Sequence, residues 1–227
     1  MAPPQATETP GEYEARRRYI AVAGNIGAGK STLVDFLCRT YDVQPFFEPN
    51  EDNPYLEDFY ADMPRWAFHS QLFFLSHKFR IHLELDQTPG TVIQDRTIFE
   101  DAEIFATAHH RLGNLKERDW QTYHELYETI VSSLKPPDLM IYLRCPMRAL
   151  KKRIKQRGRA MEQDIPTSYL KLLDELYEEW IGRYTLSEVI VIDTSQLDYI
   201  QDLEHRLDVM RKIEAAIPEA KRNAAGG

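Results

Sequence analysis

Short apolar runs alternate with longer amphipathic segments along most of the chain. Five apolar runs predict β-strands, at residues 18–24, 43–49, 91–95, 138–143 and 189–193. Seven longer segments with apolar residues at helical spacing predict α-helices, at about residues 30–41, 65–85, 98–111, 117–134, 147–157, 168–184 and 200–216. Strands that alternate with helices are typical of an α/β fold, in which helices cover both faces of a parallel sheet.

The length and the ends of the chain limit its organisation. Its 227 residues are enough for one α/β domain with a sizeable core. We predict this domain at residues 18–217, with flexible tails at residues 1–17 and 218–227. The first 18 residues lack the apolar stretch of a secretory signal. No apolar run reaches the roughly 18 residues that suggest a membrane span.

Charge and cysteine usage exclude further classes of protein. The chain has 28 basic and 36 acidic residues and a net charge of −8, which argues against a general nucleic-acid-binding protein. Cys38 and Cys145 are far apart and form no CxxC pair, which argues against a disulfide framework or a zinc site. We therefore expect a cytoplasmic protein that binds neither nucleic acid nor membranes.

The segment "GNIGAGKS", residues 24–31, fits the phosphate-loop pattern G-x-x-x-x-G-K-[ST] between a predicted strand and a predicted helix. In such a loop, backbone N–H groups cradle phosphate oxygens, the lysine (Lys30) reaches the β- and γ-phosphates, and the hydroxyl of Ser31 binds Mg²⁺. The alternative is a plain glycine turn.

The guanine-reading NKxD and the LSGGQ element are absent, which argues against a GTPase or a transport ATPase. The residues predicted to bind ATP are Gly24, Asn25, Ile26, Gly27, Ala28, Gly29, Lys30, Ser31 and Thr32.

Acidic residues stand at the ends of several predicted strands. Asp95 and Asp193 each end a strand, and either can supply the carboxylate beside the metal. We favour Asp95, because Arg96 follows it and adds a cation, and interpret Asp193 as a cap or turn residue. Glu48 ends the second strand, so we expect Glu48 and Asp95 to lie close together at the carboxyl edge of the sheet.

Five motifs resemble those of a known family. "GNIGAGKST", "FFEP", "PRWAFHSQ", "QDRTIFEDAEIFA" and "RIKQRGRAMEQDIPTSYL" occur in this order. They resemble the deoxynucleoside kinases, over roughly residues 18 to 184. The resemblance implies a P-loop kinase fold with a five-stranded parallel sheet and a short arginine-rich lid. It also implies a homodimer and, with Mg²⁺, transfer of the γ-phosphoryl group of ATP to the 5′-hydroxyl of a deoxynucleoside.

The resemblance assigns roles at the reaction centre. It implies that Glu48 is the general base for the attacking hydroxyl, which needs a proton acceptor. Arg96 would hold Glu48 and stabilise charge on the transferring phosphoryl group, and Asp95 would help Ser31 to hold Mg²⁺. The alternatives are a loop-capping glutamate for Glu48 and a structural salt bridge for Arg96.

The resemblance also implies contacts to the donor phosphates and the sugar. Arg153, Arg157 and Arg159 match the lid arginines that close over the phosphates, although a solvated basic helix face is the alternative. Tyr60 and Glu162 match the pair that binds the 3′-hydroxyl.

Four residues match positions that contact the base in the family. Gln71 and Asp101 would pair with the base edge and Phe105 would stack on it, while Lys78 stands where the family often has arginine. Asn50 and Asn53 replace apolar or aromatic residues of the deoxycytidine kinases, and Phe74 stands where some relatives have a small residue. From these departures we predict a purine substrate, with deoxyadenosine first. For the aromatic residues Trp120, Tyr123 and Tyr127, the helical spacing favours a core position or a dimer interface.

Two other functions compete with this one. A nucleoside monophosphate kinase would share the fold and the phosphate loop, but it needs cations for the acceptor phosphate, and "FFEP" supplies none. A catalytically inactive relative would have lost part of the machinery. All of the central residues are present, namely Lys30, Ser31, Glu48, Asp95 and Arg96.

Overall fold

The computed structural model describes residues 18–47, 53–159, 162, 165–195 and 203–216. The predicted base Glu48, Asn50 and both predicted tails lie outside the described residues.

The described residues form a five-stranded sheet with the strand order β2-β3-β1-β4-β5. Every neighbouring pair of strands is parallel. The strands are β1 Arg18–Ala23, β2 Val43–Phe46, β3 Thr91–Asp95, β4 Leu139–Arg144 and β5 Glu188–Asp193. All five predicted strands are therefore confirmed, although β2 ends at Phe46, before its predicted end at residue 49. Pro45 lies in β2, at an edge of the sheet, where a proline is tolerated because it has no N–H to donate to a ladder.

The seven predicted helices are confirmed, with ends that shift by a few residues. The helices are α1 Lys30–Thr40, α2 Leu56–Ala61, α3 Met63–Gln87, α4 (98–111), α5 Glu117–Val131, α6 Met147–Arg157, α7 Thr167–Arg183 and α8 Leu203–Ala216. Two features were not predicted. The six-residue helix α2 is too short for a periodic pattern, and the middle of α4, Asp101–Ala106, is a π-helix.

Alternate residues of the strands face two separate parts of the core. In β1, Ala21 and Ala23 pack into one hydrophobic cluster, whereas Ile20 and Val22 pack into the other. Helices α3, α4, α5 and α7 cover the first face, and α1, α6 and α8 cover the second. Strands β1 and β3 are parallel neighbours, so the loops that follow them meet at one edge of the sheet. The phosphate loop and Asp95 lie at this edge.

Aromatic residues of α5 belong to the core. Tyr123 and Tyr127 are buried, and Trp120 packs partly buried against the same cluster.

None of the helices in the described part of the chain is long and apolar enough to cross a membrane.

Candidate active site

The phosphate-loop segment connects β1 to α1 at the carboxyl edge of the sheet. Two of its glycines are required by close packing. A Cβ atom on Gly24 would lie 2.9 Å from the carbonyl oxygen of Leu143, and one on Gly27 would lie 2.9 Å from Cγ1 of Ile154. Gly27 also has a φ of +80°, which side chains rarely adopt. A larger residue at either position would displace the loop.

Lys30, Ser31 and Asp95 come together where the loop enters α1. The Ser31 hydroxyl donates to Oδ2 of Asp95 at 2.6 Å. Nζ of Lys30 donates to the carbonyl oxygen of Gly24 at 2.9 Å and lies 4.0 Å from Oδ1 of Asp95. A hydroxyl and a single carboxylate fit Mg²⁺, which proteins commonly hold through one or two carboxylates together with the substrate phosphates.

Arg96 follows β3 in a strained backbone conformation. Its φ is +62°, and it is the one non-glycine residue with positive φ among the described residues. Its guanidinium carbon lies 4.2 Å from the centre of the Phe105 ring, and its Nε atom lies 3.6 Å from Oε1 of Glu100. The side chain is 8% exposed. These contacts hold a cation at the end of β3, beside Lys30 and Ser31.

Glu100 is a buried residue that the sequence reasoning missed. The Gly24 N–H donates to its Oε1 atom at 3.1 Å, and the Tyr177 hydroxyl donates to the same atom at 2.5 Å. Burial raises the pKa of Glu100, and the charges of Arg96 and Lys30 oppose that rise. This carboxyl group therefore joins the phosphate loop to Arg96. The i, i+4 spacing of Arg96 and Glu100 is the signal that would have pointed to it.

A cavity of about 310 Å³ opens beside these residues. Most of the predicted site residues line it: Ile26, Gly27, Lys30, Ser31, Tyr60, Gln71, Asp95, Arg96, Asp101, Phe105, Arg157, Arg159 and Glu162. The cavity therefore joins the phosphate-loop cations to a set of polar and aromatic side chains that can recognise a small organic acceptor.

Glu162 lines the cavity and contacts two arginines. Nε of Arg157 donates to Oε2 of Glu162 at 3.0 Å, and Nη2 of Arg157 donates to the same oxygen. Nη1 of Arg159 lies 3.4 Å from Oε1. The two arginines are partly exposed. They line the same cavity as the phosphate-loop residues, so their cationic groups lie close to the loop.

Comparison with known proteins identifies the family. The family model described as deoxynucleoside kinase matches residues 20–218. The chain belongs to the deoxynucleoside kinase family. It is 34% identical to the deoxyadenosine/deoxycytidine kinase of Bacillus subtilis, over 89% of this chain and 94% of that relative. It is 34% identical to the deoxyguanosine kinase of Lactobacillus johnsonii, over 88% of this chain and 92% of that relative.

A solved structure agrees with the fold. The deoxyadenosine kinase of M. mycoides with bound dATP superposes with a TM-score of 0.75 and is 30% identical, over 86% of this chain and 99% of that one. This likeness confirms the predicted P-loop kinase fold with a five-stranded parallel sheet.

In this deoxynucleoside kinase, two of the predicted site residues lie behind the cavity wall. Arg153 donates to the carbonyl oxygens of Ala28, at 2.9 Å, and of Thr194, at 3.0 Å. Its guanidinium therefore links the phosphate loop to the residue that follows β5. Lys78 is fully buried, where its Nζ donates to the carbonyl oxygen of Arg96 at 2.5 Å and lies 3.7 Å from Oδ2 of Asp101. Backbone carbonyls satisfy both cations, which explains why they do not line the cavity.

Other predicted residues of this kinase have structural partners. Asn25 donates through Nδ2 to the carbonyl oxygen of Leu170, and Asn53 accepts from the Tyr55 N–H and donates to Ser70. Asp193 accepts from the N–H of Ser195 at 2.7 Å, which confirms its interpretation as a turn residue. Phe74, which stands where some relatives have a small residue, lines the cavity.

Five further residues line the cavity without having been predicted: Phe47, Leu56, Phe59, His109 and Tyr169. Helix α2 supplies Leu56 and Phe59, so the failure to predict that helix explains why they were missed. His109 lies outside the motifs from which the site residues were predicted.

We expect His109→Gln to reduce the acid sensitivity of this kinase. Burial lowers the pKa of His109 from 6.5 to about 4. Between these values the unfolded chain binds a proton that the folded chain does not, so the free energy of unfolding falls as the pH falls through this window. By pH 4 the loss amounts to about 3 kcal/mol.

Urea unfolding at about pH 7 and pH 4.5 measures this effect. His109→Gln should lose about 2–3 kcal/mol less than the wild type between the two pH values. His124→Gln is the matched control, because His124 is 46% exposed on α5. Parallel losses in wild type and His109→Gln would contradict the prediction.

Proposed function

We propose that this deoxynucleoside kinase transfers the γ-phosphoryl group of ATP to the 5′-hydroxyl of a deoxynucleoside in deoxynucleotide salvage, with deoxyadenosine as the preferred acceptor. One observation carries the proposal. A single cavity is lined both by the phosphate-loop residues Lys30 and Ser31 and by Gln71 and Asp101, which suit a nucleobase edge. Arg96 lines the same cavity.

In the proposed reaction, Glu48 accepts the proton of the attacking 5′-hydroxyl. Glu48 lies outside the described residues, but Phe47 lines the cavity and directly precedes it. We therefore assign the general base to the residue that follows this cavity-lining side chain in the sequence. A carboxylate there would also repel the phosphate of a monophosphate acceptor, which favours a neutral nucleoside.

The donor end combines cations with the magnesium ligands. Lys30, Arg157 and Arg159 place positive charge around the transferring phosphoryl group, where charge stabilisation dominates catalysis. Ser31 and Asp95 would hold Mg²⁺, which when bound neutralises charge on the β- and γ-phosphate oxygens.

The acceptor end favours a base with an amidine edge. The side-chain amide of Gln71 offers a donor and an acceptor side by side, which suits adenine and cytosine. Phe105 supplies an aromatic face on which a base can stack, and Phe74 adds bulk to the cavity wall. Deoxyadenosine is the acceptor that we favour for this site. Tyr60 and Glu162 would bind the 3′-hydroxyl. The names of the Bacillus subtilis relative and of the M. mycoides kinase include deoxyadenosine, in support of this choice.

The test is a comparison of acceptors. The purified protein with ATP and Mg²⁺ is given each of the four deoxynucleosides and, separately, deoxyadenosine monophosphate and thymidine monophosphate. We expect a monophosphate product, with the highest kcat/KM for deoxyadenosine.

Three outcomes would overturn the proposal or parts of it. Phosphorylation of a monophosphate in place of the nucleosides would favour the monophosphate kinase alternative. A higher kcat/KM for another deoxynucleoside would leave the reaction intact and refute the preference for adenine. Lack of activity with every acceptor would revive the inactive-relative alternative.

A further inference from the structure

His109 is a buried polar residue in the cavity wall to which the reaction above gives no role. It is 0% exposed. Its Nδ1 atom lies 3.1 Å from Nδ2 of Asn114, and its Nε2 atom lies 3.1 Å from the Tyr169 hydroxyl. The imidazole ring also stacks on Tyr169, with the ring centres 5.4 Å apart, and meets the Phe59 ring edge-on at 5.0 Å.

The partners of His109 determine which of its nitrogens carries the proton. The amide nitrogen of Asn114 can only donate, so Nδ1 of His109 must accept. Burial lowers the pKa of His109 to about 4, so the ring is neutral near pH 7 and carries a single N–H. That N–H is therefore on Nε2, which donates to the oxygen of Tyr169.

This arrangement leaves the hydroxyl proton of Tyr169 available for donation to a ligand in the cavity. Burial raises the pKa of Tyr169, so its hydroxyl stays protonated. Its oxygen accepts from His109, and among the described residues the hydroxyl makes no other hydrogen bond. Tyr169 lines the cavity together with Tyr60 and Glu162, and the charges of Tyr60 and Asp101 add to the rise in its pKa.

We propose that Tyr169 donates a hydrogen bond to a sugar oxygen of the bound deoxynucleoside, and that His109 is the positioning residue that orients its hydroxyl for this purpose. The inference rests on the proposed function for the identity of the substrate. Asn114 fixes the tautomer of His109, and the stacked rings fix the direction of the Tyr169 side chain. The chain Asn114–His109–Tyr169 thus delivers a donor to a place where Tyr60 and Glu162 face the same ligand.

The competing view is that His109 only fills space. His109→Leu and His109→Gln separate the two roles. Leucine fills much of the volume but donates nothing, whereas the glutamine amide can donate from about the position of Nε2. A packing role predicts similar effects of both substitutions on activity. The polar role predicts that His109→Leu raises KM for deoxyadenosine, whereas His109→Gln keeps KM close to the wild-type value.

Steady-state kinetics with deoxyadenosine test the proposal. Tyr169→Phe should raise KM by about 3- to 10-fold with kcat little changed, because a neutral hydrogen bond remote from the reacting hydroxyl contributes equally to ground and transition states. His109→Leu should raise KM by a similar factor, and the Tyr169→Phe/His109→Leu double variant should show no further rise. His109→Gln should stay within about twofold of the wild type.

The matched control is His110→Leu. His110 neighbours His109 on α4 but packs on Trp120 and contacts Glu117, away from the cavity. It should leave KM unchanged. Additive effects of Tyr169→Phe and His109→Leu, or equal effects of His109→Leu and His109→Gln, would overturn the positioning role. An unchanged KM in Tyr169→Phe would overturn the sugar contact.

A measurement on the wild-type protein does not depend on how the variants fold. Nitrogen-15 NMR of the histidine side chains distinguishes the two neutral tautomers. We expect His109, assigned by its loss from the His109→Gln spectrum, to carry its proton on Nε2. A proton on Nδ1 would refute the orientation of Tyr169 even if the kinase reaction is established. If no deoxynucleoside is phosphorylated, the proposed function falls and takes the sugar contact with it, whereas the tautomer still reports the hydrogen-bond direction.

Discussion

Glu48→Gln is expected to lower kcat for deoxyadenosine phosphorylation by about 10²–10⁴-fold, the usual contribution of a positioned general base. Glutamine keeps the size and polarity of the side chain but cannot accept the proton of the 5′-hydroxyl. KM for deoxyadenosine should change far less, because the base contributes mainly to the transition state. The measurement is steady-state kinetics with saturating ATP and Mg²⁺.

Glu57→Gln is the control for this substitution. Glu57 is exposed on α2, nine positions along the chain, and the same exchange there should leave kcat unchanged. A loss of less than about tenfold in Glu48→Gln would be too small for a general base and would favour the alternative of a loop-capping glutamate.

Arg96→Lys should lower kcat by about 10²–10³-fold, the range found when one preorganised donor to transition-state charge is removed. The guanidinium of Arg96 stacks on Phe105 and approaches Glu100 at the same time. A lysine ammonium is a single point of charge and cannot make both contacts in that geometry. The cation would therefore no longer be held at the phosphoryl group.

Arg111→Lys is the matched control, because Arg111 forms a bidentate pair with Glu179 on the exposed side of α4. Stability is a second readout. Arg96→Lys leaves the buried Glu100 with a weaker counter-charge, so its melting temperature should fall. The Arg96→Lys/Glu100→Gln double variant should regain part of the melting temperature that Arg96→Lys loses, but its kcat should stay as low as that of Arg96→Lys. Recovery of both would show that Arg96 acts through stability alone.

The order of strands and helices was predictable because each element depends on residues close to it in sequence. Apolar runs of strand length and helical spacing of apolar residues are local patterns. The phosphate loop was predictable for the same reason, because its glycines satisfy local turns and its lysine and serine start the following helix. Asp95 was preferred over Asp193 from its neighbour Arg96, and the structure places Asp95 against Ser31.

Local patterns failed where an element was short or irregular. Helix α2 has six residues, fewer than two turns, so its apolar face repeats too few times to be recognised. The π-helical part of α4 changes the spacing of Asp101–Ala106 on the helix surface, and no residue pattern announced that change.

The sequence by itself determined the α/β fold, the phosphate loop, the family and most of the residues that line the cavity. The tertiary structure decided which of the predicted residues face the cavity. Glu100 reaches Gly24 across 76 residues, His109 reaches Tyr169 across 60, and Arg153 reaches Ala28 across 125. Helical periodicity indicates the face on which a side chain lies, but only folding brings a distant carbonyl or hydroxyl within hydrogen-bond distance. For that reason the buried Lys78 and the partly buried Arg153 support the site from outside the cavity lining, and Glu100 and His109 belong to the site although no sequence motif indicated them.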